Sequence, residues 1–136
     1  MKVLILGVSS AQYDAVVELK KMGYETFTIA RAKDGPAADI SDYFDVIDIL
    51  NVGEIKNYIK KNNIDVVYSV GSDLAMPVAC KISEELNMPH FVGEASAFIC
   101  NHKNELRNIL TNECKGNISC IYCLFSAPNS IVQYLH

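Results

Sequence analysis

The sequence has no long hydrophobic run, and this lack bears on where the protein is expected to work. Near the N-terminus the uninterrupted apolar run covers only residues 3–6, whereas the apolar core of a signal peptide needs roughly 7–15 residues. A membrane-spanning helix needs about 20 apolar residues. We therefore expect a cytoplasmic protein without a membrane partner, whose five cysteines are reduced thiols.

Positive charge is also scarce. The chain has 12 lysine and arginine residues against 16 aspartate and glutamate residues, which gives a formal net charge of −4. Nucleic-acid-binding surfaces are usually basic, and no block of like charge forms a tail, so we expect no nucleic-acid partner. A chain of 136 residues suffices for one domain with a sizeable core.

Glycine is missing where one kind of ligand site would need it. An apolar strand predicted at Lys2–Leu6 ends at Gly7 and leads into a helix, whose N-terminal N–H groups suit an anion or polar ligand. The dinucleotide motif G-x-G-x-x-G needs three glycines and an acidic residue after the second strand. Here only Gly7 is present, and the second strand ends in Ala30-Arg31. We expect no NAD site, and Gly7 alone also fits a simple tight turn.

The rest of the pattern alternates short apolar strands with amphipathic helices, which predicts a parallel sheet covered by helices on both faces. We expect an α/β fold, a three-layer Rossmann-like domain over residues 1–111, followed by an irregular C-terminal tail at residues 112–136. The strands are predicted at Lys2–Leu6, Glu25–Ala30 and residues 44–48, 65–70 and 89–92, with a loop at residues 31–38. The helices are predicted from the first turn to about Met22, at Val52–Asn62, from residue 74 to about 86, around residues 94–100, and up to about residue 110.

Small polar residues follow the first and fourth predicted strands. Because the carboxyl ends of parallel strands meet at one edge of a sheet, these residues should lie close together and face a ligand. The candidate substrate-binding residues are Gly7, Ser9, Ser10, Gly71, Ser72 and Asp73. The alternative is that Ser72 or Asp73 only caps the helix that follows.

Two further motifs have competing interpretations. Cys120 and Cys123 have the C-x-x-C spacing of metal or redox sites, but a zinc site needs four ligands, and no common spacing supplies the other two. We therefore predict no metal ligands, and we keep a metal or redox role for this pair as an open hypothesis. Lys103 and Arg107 lie four residues apart, which by itself fits a solvated basic helix edge.

The chain over about residues 2–110 resembles the N-terminal, pre-ATP-grasp domain of ATP-grasp ligases, and most nearly that of carbamoyl-phosphate synthase large-subunit-like proteins. The resemblance rests on an ordered set of segments: residues 2–7, 19–24, 38–48, 64–73 and 86–89, together with Lys103 and Arg107. Such enzymes use ATP and Mg²⁺ to activate a carboxylate as an acyl phosphate, which an amine or another nucleophile then attacks. The resemblance implies that the six candidate residues face the acceptor substrate, a small carboxylate or amine. It also implies that Lys103 contacts nucleotide phosphates.

Departures from the family pattern limit these implications. His102 stands where the family has aspartate before the lysine, and the pattern is lost after Arg107. The nucleotide-grasping module is missing from the sequence, so we expect a truncated substrate-side fragment that is inactive alone and binds no ATP or Mg²⁺ tightly. The alternative is a stand-alone α/β module that binds a small metabolite or docks onto a separate ATP-grasp chain. Apolar residues of the tail, among them Ile121 and Phe125, are expected either to pack on this domain or to promote self-association.

Overall fold

The computed structural model describes residues 1–113, and it shows an α/β fold. One compact unit, Met1–Phe98, contains the sheet, and a second unit begins at Ile99. The strands are β1 (Lys2–Leu6), β2 (Glu25–Ala30), β3 (Tyr43–Val46) and β4 (Val66–Tyr68). The helices are α1 (Ser10–Lys21), α2 (Ala37–Ile40), α3 (Val52–Asn62), α4 (Ala75–Glu85), α5 (Glu94–Asn101) and α6 (Lys103–Glu113).

The four strands are parallel and lie in the order β3-β2-β1-β4. Lys2 lies opposite Glu25 in β2, and Val3 lies opposite Val66 in β4. The chain builds outward from β1 to β2 and β3, then returns to place β4 on the other side of β1. Strand order therefore reverses between β1 and β4, the position where open α/β sheets bind ligands outside the carboxyl ends of the strands.

Side chains of β1 alternate between the two faces of the sheet and supply two separate cores. Leu4 and Leu6 pack into the cluster that includes residues of α3 and α4, whereas Val3 and Ile5 pack with residues of α1 and α2. Leu4, Ile5 and Leu6 are fully buried, and each such side chain contributes roughly 1.5–3 kcal/mol relative to full exposure. Helices on both faces confirm the predicted three-layer arrangement.

A capping residue sets the start of α3. The Asn51 side chain accepts a hydrogen bond from the Glu54 N–H at 3.2 Å, and its amide donates to the Glu54 carboxylate at 3.1 Å. This exchange satisfies an N–H that has no partner within the helix. The bounds predicted for this helix from Asn51 and Glu54 are confirmed.

Asp42 connects α1 to the start of β2. Its carboxylate accepts hydrogen bonds from the Thr26 N–H at 2.9 Å, the Thr26 hydroxyl at 2.8 Å and the Lys20 ammonium at 2.6 Å. Burial tends to raise the pKa of this carboxyl group, but the bonds from Lys20 and Thr26 outweigh it and lower the pKa. Asp42 is therefore an acid-sensitive contact of the fold.

The fifth strand predicted at residues 89–92 is wrong, because this segment forms no strand. Pro89 has no N–H to donate to a ladder, and the preceding backbone returns to α4, where the Met88 N–H donates to the Ser83 carbonyl at 2.8 Å. Phe91 contacts the edge of the sheet through its ring, with its centroid 5.9 Å from that of Tyr68. The sheet therefore has four strands in the described part of the chain.

Smaller corrections concern element bounds. The loop predicted at residues 31–38 contains the start of α2, β3 begins at Tyr43 rather than residue 44, and β4 covers only Val66–Tyr68. Within residues 1–113, no helix combines the length and apolar character that crossing a bilayer requires. The predicted tail and the pair Cys120 and Cys123 lie outside the described residues.

Candidate functional site

A cleft of about 460 Å³ opens at the carboxyl ends of β1, β2 and β4. Its lining includes Gly7, Val8 and Ser9 after β1, Asp34 and Gly35 after β2, and Gly71 and Ser72 after β4. The structure thus brings together Gly7, Ser9, Gly71 and Ser72 from the predicted set. Ser10 and Asp73 are exposed and are not part of this lining.

The loop after β1 is held by the sheet on one side and by α1 on the other. The Gly7 N–H donates to the Ile29 carbonyl of β2 at 2.9 Å, and Gly7 has a φ of +101°. Val8 is buried, while Ser9 and Ser10 are exposed at the start of α1. The first turn of α1 therefore presents its polar end to the cleft.

Gln12 is a buried residue of this site that the sequence reasoning missed. Its side-chain oxygen accepts hydrogen bonds from the Ser9 N–H at 2.8 Å and from the Ser9 hydroxyl. Its side-chain nitrogen donates to the Val70 carbonyl, in the loop after β4. One side chain thus ties the β1 loop to the β4 loop. The S-x-x-Q spacing of a capping box, Ser9 to Gln12, was the signal that could have found it.

Gln12 also explains why this turn differs from a dinucleotide-binding turn. Gly7, Ser9 and Gln12 have the spacing of the three glycines in G-x-G-x-x-G, in which the last glycine allows close packing of helix and strand. A Cβ added at Gly7 would lie 3.3 Å from the Gln12 side chain, so glutamine fills the space beneath the turn. The Gln12 side chain therefore lies between the first turn of α1 and the sheet, where a dinucleotide-binding turn has a glycine.

The loop after β4 approaches α1 closely. Gly71 has a φ of +64°, and a Cβ there would lie 2.7 Å from the Ala11 Cβ, which is closer than two carbon atoms pack. Beyond it, the Ser72 hydroxyl accepts a hydrogen bond from the Ala75 N–H at 3.2 Å. The Ser72 hydroxyl thus satisfies the N–H of the first residue of α4, although the helix itself begins after Leu74, and Ser72 also lines the cleft.

The segment after β2 is pressed against the β1 loop. A Cβ added at Gly35 would lie 2.1 Å from the Val8 carbonyl oxygen, a separation at which the atoms overlap. The same oxygen accepts a hydrogen bond from the Ala37 N–H at 3.1 Å. Sequence reasoning treated Gly35-Pro36 only as a loop signal and did not place Asp34 at the site.

The charges around the cleft are distributed unevenly. Arg31 forms an ion pair with Asp48 at 3.0 Å, and Lys33 forms one with Asp39 at 3.3 Å. The hydrogen bond from Arg31 lowers the pKa of Asp48. Asp34 is the one charged side chain in the lining of the cleft within residues 1–113.

The remaining predicted residues lie in other parts of the chain. Lys103 is exposed and begins α6, and Arg107 is exposed on the same helix. The phosphate-binding role of Lys103 stays a prediction. In the part of the chain that the structure describes, no three histidine, cysteine or acidic side chains are grouped as metal ligands would be.

A second cavity, of about 270 Å³, lies along β4 and α4. Its lining includes Tyr68, Ser69, Cys80 and Ser83. Burial is the main cause that raises the pKa of the Cys80 thiol, and the nearby Glu84 carboxylate is the second. The thiol is therefore neutral at pH 7. The Ser69 hydroxyl is buried and has no hydrogen-bond partner among the described residues.

No protein-family model matches the chain. Curated relatives include formate-dependent phosphoribosylglycinamide formyltransferases. The chain is 25% identical over 112 residues to that of Prochlorococcus marinus strain NATL2A, covering 82% of this chain and 28% of the relative. It is 31% identical over 84 residues to that of strain MIT 9301, covering 62% of this chain and 22% of the relative. The Bacillus subtilis strain 168 protein is 27% identical over 84 residues, covering 62% of this chain and 22% of the relative.

Solved structures with the same fold include two synthetases. The phosphoribosylglycinamide synthetase of Anaerococcus prevotii superposes with a TM-score of 0.72 at 21% identity, over 82% of this chain and 28% of that one. The N5-carboxyaminoimidazole ribonucleotide synthetase of Thermotoga maritima gives a TM-score of 0.67 at 19% identity, over 82% of this chain and 30% of that one. At this level of identity the two structures support the fold alone.

These relatives define the class of protein that the chain resembles. The chain is similar to the N-terminal portion of ATP-grasp ligases, as the sequence predicted. The relatives named above are formyltransferases, so the narrower likeness to carbamoyl-phosphate synthase large subunits finds no support among them. The chain spans between about a fifth and three tenths of the length of the curated relatives it matches.

Proposed function

We propose that Met1–Phe98 is the substrate-side domain of an ATP-grasp ligase whose acceptor is a phosphoribosyl amine such as phosphoribosylglycinamide. The observation that carries this proposal is the cleft at the reversal of strand order, which Gln12 holds together from both sides. The names of the curated relatives supply the substrate class.

In this role the domain binds and orients the acceptor. The lining offers backbone at Gly7 and Gly71, the Ser9 side chain and one carboxylate, which suits a polar molecule with several hydrogen-bonding groups. Fixing the amine in one orientation lowers the entropic cost of its attack on an activated carboxylate. We assign no catalytic residue to this unit.

The described residues of the cleft do not fit ATP and Mg²⁺. The triphosphate of ATP is usually bound by several cations, but the only charged side chain lining the cleft within residues 1–113 is the Asp34 carboxylate. The N-terminal turn of α1 offers N–H groups for a single phosphate, such as the one that the acceptor carries. A magnesium site usually has one or two carboxylates that act together with substrate phosphates. We therefore propose that nucleotide chemistry belongs to a part of the enzyme outside this cleft.

Thermal unfolding of the full chain with a panel of compounds tests the proposal. Phosphoribosylglycinamide at a hundred times its Kd should stabilise the chain by about 2.7 kcal/mol, whereas ATP with Mg²⁺ should leave the melting temperature nearly unchanged. Supplying ATP, Mg²⁺, formate and phosphoribosylglycinamide together should give no product. Robust turnover by the chain alone, or stabilisation by ATP but not by the amine, would contradict the proposal.

The alternative function is a stand-alone module that binds a small metabolite or docks onto a separate ATP-grasp chain. It is favoured by the fact that the cleft is built entirely from residues of one compact unit, Met1–Phe98. It also accounts for Leu74 and Phe91, which are each 68% exposed. Preference for an unrelated metabolite over phosphoribosylglycinamide in the same panel would favour this alternative.

A further inference from the structure

Asp34 differs from Gln12 and Ser72 in the cleft because its side chain has no hydrogen-bond or ion-pair partner among the described residues. Within residues 1–113, its carboxylate makes no hydrogen bond or ion pair, and its side chain is exposed in the cleft. The Ser72 hydroxyl is bonded to the Ala75 N–H, and both ends of the Gln12 side chain are bonded. An ionised carboxylate only accepts hydrogen bonds, so Asp34 has unused capacity for donors.

The position of Asp34 is fixed by the residues that follow it. Gly35 lies so close to Val8 that no side chain fits between them, and the Ala37 N–H donates to the Val8 carbonyl at 3.1 Å. Pro36 restricts the backbone further. The backbone at Asp34 is therefore held beside the β1 loop, which places its carboxylate at the cleft.

Neighbouring cations do not neutralise this carboxylate. Arg31 and Lys33 are the basic side chains nearest to Asp34 in sequence, and each is paired with a different aspartate. The lining of the cleft thus carries a negative charge that no ion pair within residues 1–113 compensates, which attracts a cation and favours placing the amine of the acceptor, rather than its phosphate, next to Asp34. A protonated amine matches this charge and donates up to three hydrogen bonds.

We propose that Asp34 determines substrate choice in this cleft by accepting hydrogen bonds from the protonated primary amine of the acceptor. This inference rests on the proposed function, since it concerns the same cleft. A sugar hydroxyl could donate to the same carboxylate, but it would leave the charge of Asp34 uncompensated. The test must therefore separate the amine from the sugar.

Binding to the full chain is measured by NMR, following the backbone amides of Gly7, Gly35 and Gly71. The probes are phosphoribosylglycinamide, its N-acetyl derivative, which has no protonatable amine, and ribose 5-phosphate, which has the sugar alone. The variants are Asp34→Asn and, as a matched control, Asp14→Asn, which removes the same charge from an exposed position on α1 outside the lining.

A hydrogen bond to a charged group is stronger than one between neutral groups, so Asp34→Asn should weaken phosphoribosylglycinamide binding at least about tenfold. The N-acetyl derivative should bind wild type about as weakly as phosphoribosylglycinamide binds Asp34→Asn. In Asp34→Asn, the N-acetyl derivative and phosphoribosylglycinamide should bind with nearly equal affinity. The control should bind as wild type does. Equal affinities of wild type and Asp34→Asn would overturn the inference and leave the cleft as the substrate site.

Two other outcomes are equally decisive. If Asp34→Asn weakens the binding of ribose 5-phosphate as much as the binding of phosphoribosylglycinamide, the carboxylate contacts hydroxyl groups, and selection of an amine is refuted. If no probe shifts the cleft glycines of wild type, the proposed function fails, and this inference fails with it.

Discussion

Replacing Gln12 with leucine is expected to loosen the connection between the β1 and β4 loops and to destabilise the domain. Leucine keeps the buried volume but removes every hydrogen bond that Gln12 makes to Ser9 and Val70. Ser9 is exposed and can bond to water, so the main cost falls on the half-buried Val70 carbonyl. Leaving such a group unpaired costs about 1–3 kcal/mol of unfolding free energy. Each kcal/mol lost lowers Tm by roughly 4–8 °C.

Urea unfolding of Gln12→Leu provides the measurement, with Asn57→Leu as a matched control. Asn57 is an exposed amide on α3, so its replacement should change the free energy of unfolding by no more than about 0.5 kcal/mol. The amide signals of Gly7 and Gly71 should also broaden or shift in Gln12→Leu. A variant as stable as the control, with unchanged glycine signals, would refute the idea that Gln12 ties the cleft together.

Three further tests concern the packing and charge of the same unit. Gly35→Ala should cost more than about 2 kcal/mol, because the added Cβ overlaps the Val8 carbonyl. Gly53→Ala in α3 has room for a methyl group and should be neutral or stabilising by up to about 1 kcal/mol, so equal losses in the two would contradict this. Ser69→Ala removes a buried hydroxyl without a partner in the described structure and should leave stability unchanged or raise it by about 1 kcal/mol; a clear loss in urea unfolding would show a hidden partner. Asp42 has a lowered pKa in the folded state; its stabilising contribution is therefore present above the unfolded pKa of about 3.9 and is lost as the pH falls below about 4. Asp42→Asn should lose stability at pH 7 and show a weaker acid dependence than wild type, and an unchanged pH profile would argue against this contact.

Much of the fold follows from local sequence signals. The bounds of β1, β2 and α3 were predicted correctly, because an apolar run or a capping residue marks each of them. The segment at residues 89–92 shows the limit of such reasoning. Its composition suits a strand, but the competing hydrogen bond from the Met88 N–H to α4 turns the chain away from the sheet.

The lining of the cleft was predicted only in part, for a similar physical reason. Gly7, Ser9, Gly71 and Ser72 could be proposed because each follows a strand, and the topology brings such residues together. A capping-box pattern links Gln12 to Ser9, but the bond from Gln12 to Val70 and the position of Asp34 depend on contacts that no local pattern encodes. Gln12 bonds to a carbonyl 58 residues away, and Asp34 depends on the close approach of its neighbour to the β1 loop.

The central claim is that the cleft at the ends of β1 and β4 binds the acceptor of a ligase reaction. Backbone amide mapping of the full chain with phosphoribosylglycinamide tests it most directly. The account predicts saturable shifts concentrated at Gly7, Ser9, Gly35, Gly71 and Ser72, with little change along α3. Saturable shifts centred on the second cavity around Ser69 and Cys80, or no shifts at all, would contradict it.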